Sequence, residues 1–487
     1  MGPDEPRVPT FHRTCERHFA PLTLLVLALA AFNLTYRLDR EVVTDWDESL
    51  YAISASEMAA SNHWIGVTYL GELDYYNSKP PLNVWLISLA FKAFGITLWS
   101  LRLVSVTAAL LTVFALIIWG RRCFNAAVGL AAGVVLSTTF AFLYVHAARS
   151  ANTDALFTLF VLLTAIVLWA GDENPWTQVW LGVLLAATFL LRGMAVLMPL
   201  SMVACVRVWR GTRSRTPSPM AILATVCLFA APVMLWAIAR WRLDGPRFFE
   251  VLLGYDFIAR TRGALEGHEG SPIYYVQILA KHHYDWLLAA LAAVVLFPMP
   301  WQRIRTAFTR DANIRDVVLI AWMANVVLIP TAMPTKLPWY LNSFYPVFAL
   351  AIAWLVIYCL TIAATTTNYH RRGAALALIV ATMLGVAETK LHWYSFHYRD
   401  LRRSTQGLIL SERQRLEGRR VFCSRFYRGE AFVLGSLLRT NRQLTEDLGE
   451  FLRDSRTGDY WLSPNPATHA DLELIRSNGR HWLFRRR

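Results

Sequence analysis

Long apolar runs recur along most of the chain and are separated by short polar segments. About eleven of these runs approach or exceed the ~18 residues that indicate a membrane-spanning helix. They lie at residues 19–36, 99–119, 124–147, 155–171, 176–191, 194–209, 221–241, 286–301, 317–333, 339–362 and 374–387. The pattern predicts an all-α polytopic membrane protein. The first run contains no small-residue cleavage site, so we interpret it as a retained span and not as a signal peptide.

Two segments outside these runs need a separate interpretation. Residues 81–94 are apolar but short and are interrupted by Lys92, which suits a helix lying at the membrane interface. From residue 394 the chain becomes polar and rich in arginine, with short apolar pieces that predict strands at 421–423, 460–462 and 482–484. With helices expected at 430–438 and 472–476, residues 394–487 are predicted to form a small α/β cap outside the membrane domain of residues 1–393.

Basic residues between the spans predict which side each loop faces. If residues 81–94 do not cross the membrane, the clusters at Arg121-Arg122 and Arg371-Arg372 lie on the same side as the basic N-terminus. Cytoplasmic loops carry such an excess of lysine and arginine. This favours eleven spans. The regions predicted to lie outside the cell are a loop at 37–98 that includes interfacial helices, the segment 149–154, a long loop at 243–283, the segment 334–338, and the cap.

Composition supports a membrane protein and excludes several other classes. Hydrophobic residues make up 55% of the 487 and charged residues only 17%, against roughly 25% in soluble proteins. The six cysteines are scattered and form no CxxC pair, so neither a disulfide framework nor a cysteine zinc site is indicated. The arginine-rich cap suits contact with anionic lipid head groups or glycan phosphates. An ordinary solvated basic surface explains it equally well, and nothing indicates a nucleic-acid partner.

The external loop at 44–82 is acidic within a chain of net charge +14. We interpret it as the floor of an active site. Asp47 and Glu48 could be capping residues of a helix that starts near Thr44 or Asp45. A carboxylate at a helix start near the interface could also serve as a general base toward an incoming hydroxyl.

Cationic residues at the outer ends of other spans add a possible anion site. Lys79 precedes Pro80 and Pro81 at a predicted helix start, where the helix dipole disfavours a cation unless an anion such as a phosphate is bound. A lysine reaching toward the interface is the simpler alternative. Arg149 lies at the end of a span, where an ionisable residue is a functional hypothesis. Together with Lys336 these side chains could neutralise a phosphate leaving group, if the spans converge.

Five motifs occur in a fixed order along the chain: WDESLYA, NSKPPL, ARSANTD, FLLRG and TKLPWYLNSFYP. This order resembles the bacterial relatives of the protein O-mannosyltransferases, which include the aminoarabinose transferase that modifies lipid A. The resemblance implies the type C glycosyltransferase fold in a bacterial inner membrane. It also implies transfer of one sugar, usually with inversion, from a polyprenyl monophosphate carrier on the external face. The acceptor is a hydroxyl of an envelope lipid, glycan or protein.

The resemblance assigns roles to residues that match the motifs. Asp47 corresponds to the catalytic acid, with Glu48 beside it, and Asp154 to a second functional aspartate. Lys79 corresponds to the lysine that contacts the carrier phosphate, and Lys336 to the lysine before Leu-Pro. We expect Arg149 to help at the phosphate.

Further residues near these motifs are expected to contact the sugar or the acceptor. They are Tyr51, Tyr76, Tyr340, Arg192 and His268. The aminoarabinose transferase has a glutamate before the Lys-Pro lysine that helps to hold zinc, and here that position is Ser78. We therefore expect no tightly bound metal or cofactor, and we leave the dependence on a divalent metal, the sugar and the acceptor open.

Three other functions compete with a monophosphate-dependent transferase. A transporter or flippase would explain many spans, but its helices are expected to be broken by Gly or Pro in two matching halves, and no such symmetry is visible. A non-catalytic scaffold would tolerate joint replacement of Asp47 and Lys79. A ligase using a pyrophosphate-linked oligosaccharide would require a divalent metal. The preferred mechanism requires Asp47 and Lys79 to converge on opposite sides of one sugar-sized hollow.

Overall fold

The computed structural model describes residues 9–171, 176–211, 218–263, 267–299, 301–307, 312–424 and 428–487. Within these ranges the chain forms a helical membrane part followed by an α/β cap. The helices of the membrane part are α1 Thr10–Arg17, α2 Phe19–Thr35, α3 Asp47–Ser61, α4 Leu82–Phe94, α5 Leu98–Cys123, α6 Ala126–Ser137, α7 Phe140–Tyr144, α8 Asp154–Ala170, α9 Trp176–Arg192, α10 Leu197–Gly211, α11 Pro219–Asp244, α12 Arg247–Glu250, α13 Arg260–Arg262, α14 Tyr274–His282, α15 Tyr284–Leu296, α16 Trp301–Ala307, α17 Ile314–Ala332, α18 Tyr345–Thr365 and α19 His370–Tyr398. Short 3-10 turns occur at Leu38–Arg40, Gly193–Val196, Pro338–Phe344 and Thr367–Tyr369, and a π-helix at Val251–Ala259.

Seven helical runs in the described ranges are long and apolar enough to cross a membrane, and four apolar helices are shorter. The predicted run at 124–147 is not one helix: α6 ends at Ser137 and α7 begins at Phe140. The hydroxyls of Thr138 and Thr139 donate to carbonyl oxygens one turn back in α6, an alternative to continued helical bonding that such side chains often offer.

The segments predicted to be external contain more helix than their polar sequence suggests. The predicted interfacial helix is α4, which packs with α3 into a small core of its own that includes Ile53, Val84 and Phe91. The loop at 243–283 is largely helical in its described part, through α12, the π-helix and α14. A two-stranded hairpin, β1 Thr68–Tyr69 with β2 Glu72–Leu73, follows α3.

The cap is a mixed five-stranded sheet flanked by short helices. Its helices are α20 Thr405–Ser411, α21 Arg413–Leu416, α22 Arg428–Phe432 and α23 Leu448–Asp454, with a 3-10 turn at Leu401–Arg403 and a π turn at Val433–Leu437. Its strands are β3 Arg420–Cys423, β4 Asn441–Leu444, β5 Tyr460–Ser463, β6 Leu472–Ser477 and β7 Trp482–Arg486. The sheet order is β4-β3-β5-β7-β6, with β3 parallel to both of its neighbours.

The three predicted strands of the cap and the helical segment near residue 430 are confirmed, but the helix predicted at 472–476 is wrong. That segment is the edge strand β6, which pairs antiparallel with β7 from Leu472 to Ser477. Leu472 is buried in the core on one side of the sheet while Glu473 faces solvent. Backbone pairing with β7 therefore decides its structure, because strand preference depends mainly on such tertiary context.

The cap docks directly on the acidic loop. Gln406 exchanges two hydrogen bonds with the backbone of Val43, at 2.9 and 2.8 Å. The backbone N–H of Gly429 donates to the Asp45 carboxylate at 3.0 Å. Phe432 of the cap joins the core that α3 forms with α4. The start of α3 is thus held between the membrane helices and the cap.

Candidate functional site

Asp47 begins helix α3 and faces Lys79 and His146. Its Oδ2 atom lies 3.1 Å from the Lys79 ammonium nitrogen and 3.5 Å from His146 Nε2. The side chains of Asp47 and Lys79 are 29% and 21% exposed. The two residues therefore converge, as the preferred mechanism requires. They do so as a direct ion pair, which a sugar must separate to lie between them.

Asp154 extends this arrangement below His146. It is the first residue of α8, and its Oδ2 lies 3.0 Å from His146 Nδ1. Its other oxygen accepts a hydrogen bond from Arg192 Nη1 at 2.6 Å. Asp154 is buried, whereas His146 and Arg192 are partly accessible. His146 thus bridges two carboxylates, of which Asp47 is partly exposed and Asp154 is buried. We call Asp47, Lys79, His146, Asp154 and Arg192 the open cluster.

Unusual backbone conformations fix the side chains of the open cluster. Trp46 has φ +70° and His146 has φ +59°, values that non-glycine residues seldom adopt and that cost of order 1–3 kcal/mol each. Gly193 has φ +57°, and a Cβ atom there would lie 3.0 Å from Leu252 and 3.5 Å from Pro80. Glycine suits the position after Arg192 because its φ is positive and a Cβ would approach Leu252 tightly, whereas the contact with Pro80 would be an ordinary one.

Aromatic rings line the open cluster. Lys79 lies over the buried Tyr51 ring, with 5.4 Å from its nitrogen to the centroid. The guanidinium of Arg192 lies 6.0 Å from the Tyr340 ring. Trp339 stacks on the imidazole of His146 with a centroid distance of 4.2 Å and an interplanar angle of 13°. The sequence-predicted residues Tyr51, Tyr340 and Arg192 are therefore part of this region.

Glu48 points away from the open cluster into a second set of charges. Its Oε1 atom lies 2.8 Å from Arg102 Nε, and its Oε2 atom accepts hydrogen bonds from the N–H and hydroxyl of Thr44 at 2.8 and 2.7 Å. Arg399 approaches the same carboxylate to 3.9 Å. Both Glu48 and Arg102 are fully buried.

Arg149 also belongs to this second set. It bonds to Glu41 at 2.6 Å and to the carbonyl of Tyr36 at 2.7 Å, and it is buried. Arg399 lies 3.6 Å from the other Glu41 oxygen. We call the residues Glu41, Glu48, Arg102, Arg149 and Arg399 the sealed cluster. The structure thus places Arg149 in a network that ties the turn after α2 to the linker before the cap, and Arg192 takes the position beside Asp154.

Lys336 and His268 meet at a different place. The Lys336 ammonium donates to the carbonyls of Pro330, Thr331 and Met333, at 3.1 and 2.6 Å for the first and last. It therefore satisfies carbonyls at the C-terminal end of α17. The backbone N–H of Lys336 donates to the His268 carbonyl at 2.8 Å, which joins the 243–283 segment to the TKLP motif. Tyr76 lies on the outer rim of the site beside Trp46, with ring centroids 6.2 Å apart.

The described ranges contain no obvious metal site. No group of three or more His, Cys, Asp or Glu side chains there is arranged to hold a metal ion. Ser78, where the family resemblance predicts a metal-binding glutamate, is buried and offers only a hydroxyl. The His146 imidazole is engaged by Asp154 and Asp47, which leaves the open cluster as a set of paired charges.

Sequence reasoning missed His146, Arg102 and Arg399. His146 lies three residues before Arg149, at the end of an apolar run, and an ionisable residue at that depth was a usable signal. Arg102 lies in the predicted 99–119 span and offered the same signal. Arg399 carried none, because its role depends on α19 returning the chain to the first external loop.

The charges of the open cluster keep Asp47 ionised. Burial alone would raise the pKa of Asp47, but the charge and hydrogen bond of Lys79 and the charge of Arg192 outweigh burial and lower the pKa to about 2. Burial raises the pKa of Tyr51 to about 12, so this residue stays a neutral phenol. The arrangement can therefore present a carboxylate to a hydroxyl, with Lys79 and Arg192 available to an incoming anion.

Comparison with protein sequences identifies related transferases. The family described as dolichyl-phosphate-mannose-protein mannosyltransferase matches residues 78–236. An undecaprenyl phosphate-alpha-4-amino-4-deoxy-L-arabinose arabinosyl transferase of Pseudomonas savastanoi pv. phaseolicola is 26% identical over 339 residues, or 67% of this chain and 60% of the relative. A protein of the same name from Pseudomonas paraeruginosa is 27% identical over 65% of this chain and 56% of its own length. The chain spans about three fifths of the length of these curated relatives.

Comparison with solved structures identifies the fold. ArnT from Cupriavidus metallidurans matches with a TM-score of 0.70 in the apo state and 0.67 bound to undecaprenyl phosphate. Sequence identity is 14%, and the match covers 95% of this chain and 97% of that protein. The predicted helical membrane fold with a small α/β cap is confirmed. With the sequence matches, these findings also confirm the resemblance to the protein O-mannosyltransferase-like family.

Proposed function

We propose that this relative of the protein O-mannosyltransferases is an integral-membrane glycosyltransferase that moves one sugar from a polyprenyl monophosphate to an acceptor hydroxyl. The curated relatives are named for an undecaprenyl phosphate-linked donor, which we propose for this chain as well. The reaction takes place on the external face of a bacterial inner membrane. The relatives' name gives their sugar as aminoarabinose, and the acceptor that we propose here is a hydroxyl of an envelope lipid, glycan or protein.

Asp47 acts as the general base in this proposal. Its ionised carboxylate takes the proton of the acceptor hydroxyl, and the oxygen attacks the anomeric carbon opposite the phosphate, which inverts that centre. The bond from the anomeric carbon to the phosphate oxygen breaks, and the leaving phosphate keeps the electron pair. Asp47 is the group in the open cluster that combines negative charge with partial exposure, and a base must reach the proton it removes.

Lys79 and Arg192 stabilise the leaving phosphate. Lys79 exchanges its contact with Asp47 for the phosphate when the donor binds, which also frees the carboxylate for the acceptor. Arg192 remains anchored to Asp154 and offers its other nitrogens. Cations aimed at the charge that develops on a leaving group contribute strongly where water is excluded.

His146 completes the path of the proton. A carboxylate with a pKa of about 2 holds a proton poorly at neutral pH, so the proton must move on after transfer. With its Nδ1–H donated to Asp154, His146 presents Nε2 toward Asp47 at 3.5 Å. We assign to His146 the role of receiving this proton, with Asp154 stabilising the resulting imidazolium.

The single observation that carries the proposed function is the contact of Asp47 with Lys79 beside the Asp154–His146 pair. Mass spectrometry of envelope lipids and glycans from cells with and without the gene tests it. One species should lose a single sugar mass in the deletion strain. The wild-type gene should restore that species, and Asp47→Asn should not. Unchanged envelopes, or full restoration by Asp47→Asn, would contradict the proposal.

A further inference from the structure

Two exposed aromatic rings lie where the acidic loop meets the cap. Trp46 is 57% exposed and Tyr76 is 49% exposed, with ring centroids 6.2 Å apart. Trp46 immediately precedes Asp47, and Tyr76 comes three residues before Lys79. Exposed aromatic side chains beside a candidate active site are typical of a ligand-binding surface. They form the edge of the open cluster on the side of the cap.

An arginine of the cap lies over both rings. The guanidinium carbon of Arg428 is 4.1 Å from the Trp46 centroid and 5.6 Å from the Tyr76 centroid. Its Nη1 atom is buried and has no hydrogen-bond partner, and Nη1 of Arg442 is in the same state. Buried polar atoms are nearly always paired in native proteins, so two unpaired guanidinium nitrogens require an explanation.

Two carboxylate oxygens nearby are also buried and unpaired, namely Asp74 Oδ2 and Glu57 Oε2. In each residue the other oxygen is used: Asp74 Oδ1 accepts the N–H of Tyr76 at 2.9 Å, and Glu57 Oε1 accepts the N–H of Gly71 at 3.2 Å. Each carboxylate is therefore fixed in place by one oxygen, while its other oxygen accepts no hydrogen bond.

All four charges act on the hydroxyl of Tyr69. Burial raises the pKa of Tyr69, the charges of Arg428 and Arg442 lower it, and those of Asp74 and Glu57 raise it. Asp74 and Glu57 bond to the backbone at Tyr76 and at the β1–β2 hairpin, and Arg428 lies over the Tyr76 ring, so these groups lie along the face where the hairpin meets the cap. We call Trp46, Tyr69, Tyr76, Arg428 and Arg442 the rim cluster.

The backbone at Trp46 adopts an unfavourable conformation that determines where its ring lies. Its φ of +70° is unfavourable for any residue with a Cβ atom, and the exposed ring gains little from packing. The next acidic side chain upstream, Asp45, is held by the cap through the Gly429 N–H at 3.0 Å. The chain thus bears strain to hold an indole in water between the catalytic carboxylate and the cap.

The chemistry of this surface fits one class of ligand. A phosphate would satisfy the two guanidinium nitrogens but would be repelled by Asp74 and Glu57. Sugar hydroxyls both donate and accept, so they can satisfy the unpaired carboxylate oxygens and the unpaired arginine nitrogens together. The apolar C–H faces of a sugar ring can lie against the amphipathic aromatic side chains.

We infer that the rim cluster binds a saccharide unit of the acceptor, so that the acceptor is a glycan or a glycolipid. The inference rests on the proposed function, because it assigns the cap to the acceptor and leaves the carrier phosphate with Lys79. It gives the cap a task that the membrane helices do not perform: it closes the outer side of the site with Arg428 and Arg442.

A binding experiment tests the inference without depending on transfer. The full-length protein in detergent is applied to an array of immobilised neutral, acidic, sulfated and phosphorylated bacterial glycans. Wild type should retain a defined subset of glycans. Trp46→Gly, which relieves the positive φ, and Arg428→Leu should each weaken retention roughly 10-fold, as expected for loss of stacking or of a charged hydrogen bond.

Matched variants separate this site from general surface effects. Trp393→Ala replaces a tryptophan that is similarly exposed, and Arg413→Leu removes an exposed cap arginine outside the rim cluster. Both should bind like wild type. Absence of glycan binding by wild type, or equal binding by Trp46→Gly and wild type, would overturn the inference. So would retention of anionic glycans alone that depends on Arg428 but not on Trp46, because it would indicate an anion site. If the protein binds glycans but deletion of its gene changes no envelope species, the inference of a glycan site at the rim cluster stands and the proposed transferase function is rejected.

Discussion

Asp47 and Glu48 are neighbours in the chain, and each belongs to a different set of charges. The Asp47 side chain is 29% exposed and shares Oδ2 between Lys79 and His146. Glu48 is completely buried, with both oxygens bonded to Arg102, Thr44 and the N–H of Ala151. Adjacent helix positions point about 100° apart, so one carboxylate enters the open cluster and the other the sealed cluster.

The two carboxylates have pKa values of about 2 for the same kind of reason. In each case burial would raise the pKa, and nearby cations lower it further than burial raises it. A depressed pKa therefore does not separate a reactive acid from a structural one. The difference lies in what can replace the partners. A substrate can reach Lys79 and compete for it, whereas the buried Arg102 has no such access. Perturbed acids of both kinds are expected in ion-pair networks.

The largest expected effect comes from neutralising the exposed carboxylate. Asp47→Asn keeps the shape of the side chain but cannot accept a proton, so we expect sugar transfer to fall by about 10²–10⁴-fold. The melting temperature in detergent should change little, since a partly exposed ion pair contributes at most ~1 kcal/mol. Transfer to the acceptor identified by mass spectrometry is measured in membranes, with expression normalised. A tenfold loss or less would indicate that another group removes the proton.

The sealed cluster should respond in the opposite way. Arg102→Met leaves Glu48 as a buried charge without its main partner, which costs about 3–5 kcal/mol. We expect a large fall in melting temperature, while transfer per folded molecule stays within a few-fold of wild type. Joining Glu48→Gln to Arg102→Met removes both charges and should recover part of the stability. A double variant as unstable as the single one would show that the ion pair itself is not what holds the turn.

His146 gives the next largest effect and tests the path of the proton. His146→Gln keeps a polar side chain but cannot carry the proton onward, so we expect the maximal rate to fall about 10–100-fold with little change in donor KM. Imidazole in the buffer should partly restore His146→Ala. Loss of activity without rescue by imidazole would indicate a structural role through stacking on Trp339.

The sequence predicted the positions of these groups better than their partners. Motif order was sufficient to identify Asp47 and Lys79, which the structure brings within 3.1 Å. Charge at membrane depth drew attention to Arg149, but one-dimensional reasoning could not tell which carboxylate each cation meets. The pairing depends on how α5, α8 and α9 cross. In the structure Arg192 pairs with Asp154, and Arg149 pairs with Glu41.

The same limit explains the errors in the fold. Helix lengths followed from apolar runs, but the break between α6 and α7 depends on the local hydrogen bonds of Thr138 and Thr139. The sequence pattern of β6 predicts a helix, but the segment forms an edge strand because it pairs with β7. Local pattern therefore predicted elements whose burial is uniform, and failed where a partner distant in the chain decides the outcome.

The smallest effect expected concerns the junction of the acidic loop with the cap. Burial, and then the charge of Asp45, raise the pKa of Glu430 from 4.5 to about 7. The folded cap therefore binds this proton more tightly than the unfolded chain, so its contribution to stability is fully present below pH 4.5 and is lost as pH rises through about 7. We expect the cap to melt a few degrees lower at pH 8 than at pH 5, and Glu430→Gln to remove most of that difference by raising the value at pH 8. Glu417→Gln, which changes an exposed acid of the cap, is the control and should keep the difference. If both variants behave alike, the pH dependence arises from the general charge of the cap and not from the acid that lies beside the Asp45 contact.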